Sequence, residues 1–263
     1  MDYIDSIRTS GVETTAKKIE YMASDYSNNR VFYSVIPSKS YFINDELKNP
    51  FDYDLMHKIL NENIKSATYI DIFDTLTLTD YYVTDPHFKQ DKTDKLIKRL
   101  GENLGFNIDI SKNTYNKVDN FIGQHKDKVY GISGEEIYYL TNSFTDNAKV
   151  TNIMGDAYDK VYNLDKLSSK SPYDLFLSGP SPISIIKNEN NNEGKRLIIF
   201  NDSYSCTLAP LLIESYSEIV LIDLRYVASS LIERYVEIGS ADILFLYNEQ
   251  IVNNGEMLKV IFN

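Results

Sequence analysis

Apolar positions along the chain gather into short runs separated by stretches with a helical spacing. The runs at 30–37 (RVFYSVIP), 67–73 (ATYIDIF), 196–200 (RLIIF), 218–223 (EIVLID) and 242–247 (DILFLY) are rich in β-branched and aromatic residues and hardly alternate with polar ones. Strands buried on both faces of a parallel sheet have this pattern. Between them, 52–64, 91–105, 207–216 and 226–239 read as helices. In the second of these, Leu96, Ile97, Leu100 and Leu104 fall on one face, Lys95, Lys98 and Arg99 on the other, and Gly105 is placed to end the helix. Alternation of strand and helix predicts an α/β fold with a central, mostly parallel sheet and helices on both faces.

The segment 106–171 breaks this rhythm. Its short apolar stretches between polar turns predict small strands, an insertion decorating one domain that spans 1–263. The polar turn 188–194 (NENNNEG) offers nothing to a core and is expected to be mobile.

Lys plus Arg number 27 against 38 Asp plus Glu, a formal charge of −11. Such a charge repels phosphate backbones and anionic lipid surfaces and argues against a nucleic-acid partner. Tyrosine is abundant, with 21 residues, and tryptophan is absent. Tyrosine rings can stack on sugars as well as fill core edges. The single cysteine, Cys206, excludes an internal disulfide without fixing the compartment. No apolar run reaches the roughly 18 residues of a membrane span. The stretch 1–15 lacks the pattern of a signal peptide, and it is also what would remain downstream of a removed anchor.

One junction carries candidate chemistry. The segment 200–212 (FNDSYSCTLAPLL) places polar residues between a predicted strand and an apolar helical segment, where α/β proteins collect ligands and catalytic groups. Ser203 there is either a helix cap or a nucleophile that needs a base. Three histidines are available. His57, in a helical pattern, and His125, among charges, read as surface residues. His87 stands two residues after Asp85, with Pro86 fixing the backbone between them. An aspartate that orients one imidazole nitrogen leaves the other free to take a serine proton; the other reading is an Asx-Pro turn with an incidental histidine. The chain has no G-x-S-x-G elbow, G-x-G-x-x-G fingerprint, phosphate loop or zinc set. Glu135 and Glu136 read as a solvated face.

The stretches 35–42 (VIPSKSYF), 69–76 (YIDIFDTL), 81–88 (YYVTDPHF), 173–182 (YDLFLSGPSP), 201–212 (NDSYSCTLAPLL) and 219–227 (IVLIDLRYV) resemble, in order, blocks of the DHHW protein family. That family is similar to the alginate O-acetylation proteins of the SGNH-hydrolase superfamily. The resemblance implies a three-layer α/β/α sandwich of SGNH hydrolase-like, flavodoxin-like type. It implies Ser203, His87 and Asp85 as a triad that needs no metal or organic cofactor, and an extracytoplasmic or cell-surface location. The family's Thr-Asp-Thr-His-Trp block stands here as Thr84-Asp85-Pro86-His87-Phe88, and Gly179-Pro180-Ser181 replaces a Gly-Asn pair. Arg225, Tyr247 and Asn248 are expected at carboxyl ends of strands, where substrate and oxyanion donors belong. For Arg225 an ion pair with Asp223 is the equal alternative. The expected activity is a serine-dependent O-acyl esterase or acetyltransferase whose partner is an acylated carbohydrate or polysaccharide; the alternative is a non-catalytic polysaccharide-binding protein on the same fold.

Overall fold

The computed structural model of the protein describes residues 6–128, 131, 134–155, 158–188, 190–191 and 194–262. In chain order its elements are α1 (Thr9–Asp25), β1 (Val31–Ile36), α2 (Tyr53–Asn63), β2 (Thr68–Tyr69), α3 (Asp94–Leu104), β3 (Thr114–Phe121), β4 (Glu135–Thr141), α4 (Ser143–Asn147), β5 (Ala148–Asn152), β6 (Ile183–Asn188), β7 (Lys195–Asn201), α5 (Ser205–Leu212), β8 (Tyr216–Ile222), β9 (Asp242–Asn248) and α6 (Glu249–Asn253). Seven strands form one sheet in the order β2-β1-β9-β7-β8-β6-β5. The first five run parallel, and β6 pairs antiparallel with both β8 and β5. This is the mostly parallel α/β sheet that the sequence pattern predicts.

Successive strand residues point to opposite faces, and here both faces are covered. Leu197 and Ile199 of β7 and Leu244 and Leu246 of β9 join the layer formed with α3 and α5. Ile198, Phe200, Ile243, Phe245 and Tyr247 join the layer formed with α1 and α2. Double coverage is the reason the strand runs hardly alternate. Helix α3 stops at Gly105, whose φ of 79° is left-handed. The hairpin β3–β4 forms a second sheet and packs its Phe121, Ile137 and Leu140 on the α3 side. Among the described residues no helix is long and apolar enough to cross a membrane.

Three sequence expectations change. The predicted helix at 226–239 is only a 3-10 segment, Ser229–Arg234. The chain's end competes for its backbone: the Ser229 amide donates to Lys259 O and the Lys259 amide to Leu224 O. The strand at 67–73 shortens to Thr68–Tyr69, because the Asp71 carboxylate takes the Phe73 amide at 3.0 Å and turns the chain away. The helix at 207–216 ends at Leu212, and Tyr216 already belongs to β8. Helix α1 and strand β6 go beyond the sequence reading. The polar turn 188–194 lies partly outside the described residues.

A buried acid ties β1 to α6. Glu249 is fully buried, and one carboxyl oxygen accepts from Tyr53 Oη at 2.9 Å, from Ser40 Oγ at 3.3 Å and from Ser38 Oγ. Burial pushes this acid up to about 7, against the pull of its hydroxyl donors. The fold therefore favours the protonated form. Its stabilising contribution is full below the ordinary value of 4.5 and is lost as pH rises through about 7. Between about pH 5 and pH 8 the unfolding free energy of the wild type should fall by ~2.5 kcal/mol relative to Glu249→Gln. Urea unfolding of both proteins at the two pH values checks this, and parallel pH dependences would contradict it.

Candidate active site

Strand β7 ends in the middle of the sheet, and the chain turns over Asp202 and Ser203 into α5. No side chain caps α5, Ser203 included, and the turn before it is tied by Asp202. One Asp202 oxygen accepts from the Tyr204 amide at 3.1 Å and the other from the Asn248 amide, at the end of β9, at 2.6 Å. Burial pushes the Asp202 carboxyl up, while Arg225 and these two amides pull against it. The Ser203 hydroxyl lies 2.8 Å from His87 Nε2.

On the other ring nitrogen, His87 Nδ1 is 2.6 Å from Asp85 Oδ1. The same carboxylate accepts from the His87 amide at 3.2 Å and from the Gln124 amide at 3.1 Å. Burial alone would push the Asp85 acid up. The hydrogen bond and charge of His87, together with the two amides, outweigh burial and hold it below its ordinary value. Lys39, buried beneath the loop, donates to the carbonyls of Tyr82 and Asp85, each at 2.9 Å. Glu135 braces the same loop from β4, accepting from the amides of Val83 and Thr84 at 2.8 and 2.7 Å. The expectation of a solvated Glu135 is thereby corrected, while Glu136 does pair with Lys117 at the surface.

Two rings fix the imidazole plane. Tyr173 stacks on it at 3.9 Å between centroids and 6° between planes, and Tyr204 leans on it at 4.5 Å. Tyr204 Oη donates to Pro86 O at 2.9 Å, and Tyr173 Oη bonds Thr207 Oγ1. The other histidines stand apart. His57 packs edge-on against Phe73. His125 is 3% exposed, not solvated as expected, because its segment is tied down by a bond from its amide to Thr84 O.

Two adjoining hollows of about 250 and 200 Å³ share Ser203, His87, Gln124 and Arg225. Arg225 makes the ion pair with Asp223 that was its alternative reading, and it also lines both hollows. Its Nε and Nη2 bind Asp223 at 2.9 and 2.6 Å, while Nη1 has no hydrogen-bond partner among the described residues. Burial would lower the guanidinium's pKa, but the Asp223 carboxylate overrides it and raises it. Asn248 lines the smaller hollow. Its side chain is engaged with Ile36 O at 3.0 Å and the Gln250 amide at 3.0 Å. Tyr247 does not reach either hollow: strand alternation turns it to the α1–α2 face, where it is 1% exposed. The expectation of Tyr247 as a donor is corrected. Cys206 borders the larger hollow, and burial pushes its thiol well up. Among the described residues no three His, Cys, Asp or Glu side chains gather as a metal site.

Lys39, Gln124, Tyr173 and Tyr204 go beyond the sequence reading. Gly123 matters equally, since a Cβ there would lie 2.4 Å from both Cβ and Oδ2 of Asp85. Gly123→Ala should therefore displace Asp85 while the fold persists. The strongly deshielded proton expected in the 2.6 Å bond between His87 and Asp85 should vanish from the proton NMR spectrum of this variant; an unchanged resonance would contradict the geometry.

No protein-family model matches the sequence, and a comparison with curated proteins gives no match either. Solved structures do match. A DHHW family protein from Eubacterium siraeum superposes with a TM-score of 0.79 at 20% identity, over 97% of this chain and 89% of that one. Bacillus cereus PatB1 gives 0.75 at 16% identity, over 96% and 93%, and has also been solved with a sulfonyl adduct. The O-acetyltransferase domain of Pseudomonas putida AlgJ gives 0.53 at 9% identity, over 93% and 84%. The chain shares the α/β fold of a DHHW family protein, of PatB1 and of the AlgJ domain.

Proposed function

We propose that the protein is a serine-dependent O-acyl esterase or acetyltransferase acting on a carbohydrate or cell-surface polysaccharide outside the cytoplasm. One observation carries this reading: the unbroken chain from Asp85 to His87 at 2.6 Å and from His87 to Ser203 at 2.8 Å, opening on two hollows. Ser203 Oγ attacks the acyl carbonyl as His87 Nε2 takes its proton. The tetrahedral intermediate collapses when the ester C–O bond breaks and His87 returns the proton to the departing oxygen. Water or a sugar hydroxyl then releases the acyl group from Ser203 by the reverse steps. Asp85 holds the imidazole and stabilises its cation, and the stacked face of Tyr173 adds to this. The free Nη1 of Arg225 and the Ser203 amide, just ahead of α5, are the donors offered to the developing oxyanion.

Two further features support the reading. Two hollows meeting at one serine give room for an acyl donor and a separate acceptor, which favours transfer over hydrolysis. Among the structural neighbours, one is an O-acetyltransferase domain and another carries a sulfonyl adduct, the product expected of an activated nucleophile.

Triad members act as a unit, so Ser203→Ala and His87→Ala should each lower p-nitrophenyl acetate hydrolysis on the order of a thousandfold or more. A sulfonyl fluoride should label the wild type at Ser203 and neither variant. Wild-type hydrolysis indifferent to both substitutions, or labelling elsewhere, would refute the mechanism.

A further inference from the structure

The larger hollow contains a carboxylate that the acyl-transfer steps do not use. Asp174 lies in its wall, in the 3-10 segment Pro172–Leu175, half-buried. Among the described residues its carboxylate has no hydrogen-bond or ion-pair partner. The neighbouring backbone is shaped to leave room for it. Leu177, Ser178 and Gly179 are all left-handed, with φ of 55°, 62° and 91°, a conformation that costs a non-glycine residue energy and is held only where the surroundings demand it. A Cβ on Gly179 would lie 2.7 Å from the Asp174 carboxyl carbon. Glycine alone lets the turn pass so close to the acid.

Tyr226 lines the same hollow with 52% of its surface exposed, and the Arg225 guanidinium stands 5.3 Å from its ring centroid. An exposed, anchored ring and an unpartnered carboxylate beside a reactive serine match the two surfaces of a sugar. The ring takes the apolar C–H face, and the carboxylate accepts from hydroxyls. A carboxylate only accepts, and it repels another anion. The lining charges reinforce this, because Asp85 and Asp174 face the cavity with one cation, Arg225, which Asp223 already pairs. We propose that Asp174 and Tyr226 form the sugar subsite of this cavity, and that the sugar carrying or receiving the acyl group is neutral, neither a uronic acid nor a phosphorylated sugar.

The acyl-transfer role of this sugar rests on the function proposed above, but its recognition is testable without turnover. Ser203→Ala, which removes the nucleophile, is titrated by calorimetry with neutral gluco-, manno-, galacto- and N-acetylglucosamine oligosaccharides and with oligouronates of matching length. The expected result is binding of at least one neutral oligosaccharide and of no oligouronate, weakened about tenfold or more by adding Asp174→Ala and also by adding Tyr226→Ala. Asp174→Asn, which changes shape least, guards against misfolding and should weaken binding in the same direction. Equal or tighter binding of oligouronates, no binding across the panel, or binding indifferent to these changes would overturn the proposal. An inactive wild type with the expected binding pattern would instead count against the acyl-transfer reading alone.

Discussion

A carboxylate as buried as Asp85 must be compensated on both oxygens, and the groups that compensate it are the ones that assemble the cavity. His87 supplies ring nitrogen and amide, and Gln124 brings the segment after β3 to the second oxygen. Lys39 then ties the carbonyls of the same loop to the chain after β1. Satisfying one charge thus joins two separate stretches of sequence, and Lys39 holds a third against the same loop. The imidazole is left with a single free nitrogen, aimed at Ser203.

The sheet supplies the other half of the arrangement. Strands β1, β9, β7 and β8 run parallel side by side, so the loops that follow them open on the same edge. Asp202 locks two of these ends together by taking the Asn248 amide in addition to the Tyr204 amide of its own turn.

The central strands β1, β7, β8 and β9 were legible because burial on both sheet faces leaves a plain apolar signature, and helices α2 and α3 because their apolar residues fall on one face. Helix α1 was less so: Val12, Ala16, Ile19 and Ala23 have helical spacing, but two of them are alanines with little apolar weight. The segment 226–239 misled because its Val227, Ile232 and Val236 are buried while its Ser229 amide is drawn to Lys259 O, a distant partner that local pattern does not reveal. At the site, residue type and spacing left Ser203 and the Asp85–His87 pair each open between two readings, the resemblance grouped them, and the structure brings the three within hydrogen-bond distance. Tyr247 was misplaced because a strand alternates, so a strand-end position one residue off faces the opposite layer. Lys39, Gly123 and Tyr173 act through carbonyls, empty space and ring stacking, and such roles exist only once distant segments have met.

The central claim is that Ser203 becomes covalently acylated. Mixing the protein with p-nitrophenyl acetate, quenching in acid within the first turnover and mapping the peptides by mass spectrometry tests it directly. The account predicts an acetyl group on the peptide carrying Ser203, absent when His87 is replaced by alanine. An unmodified Ser203 peptide from protein that has turned over the ester, or an acetyl group on another residue, would contradict it.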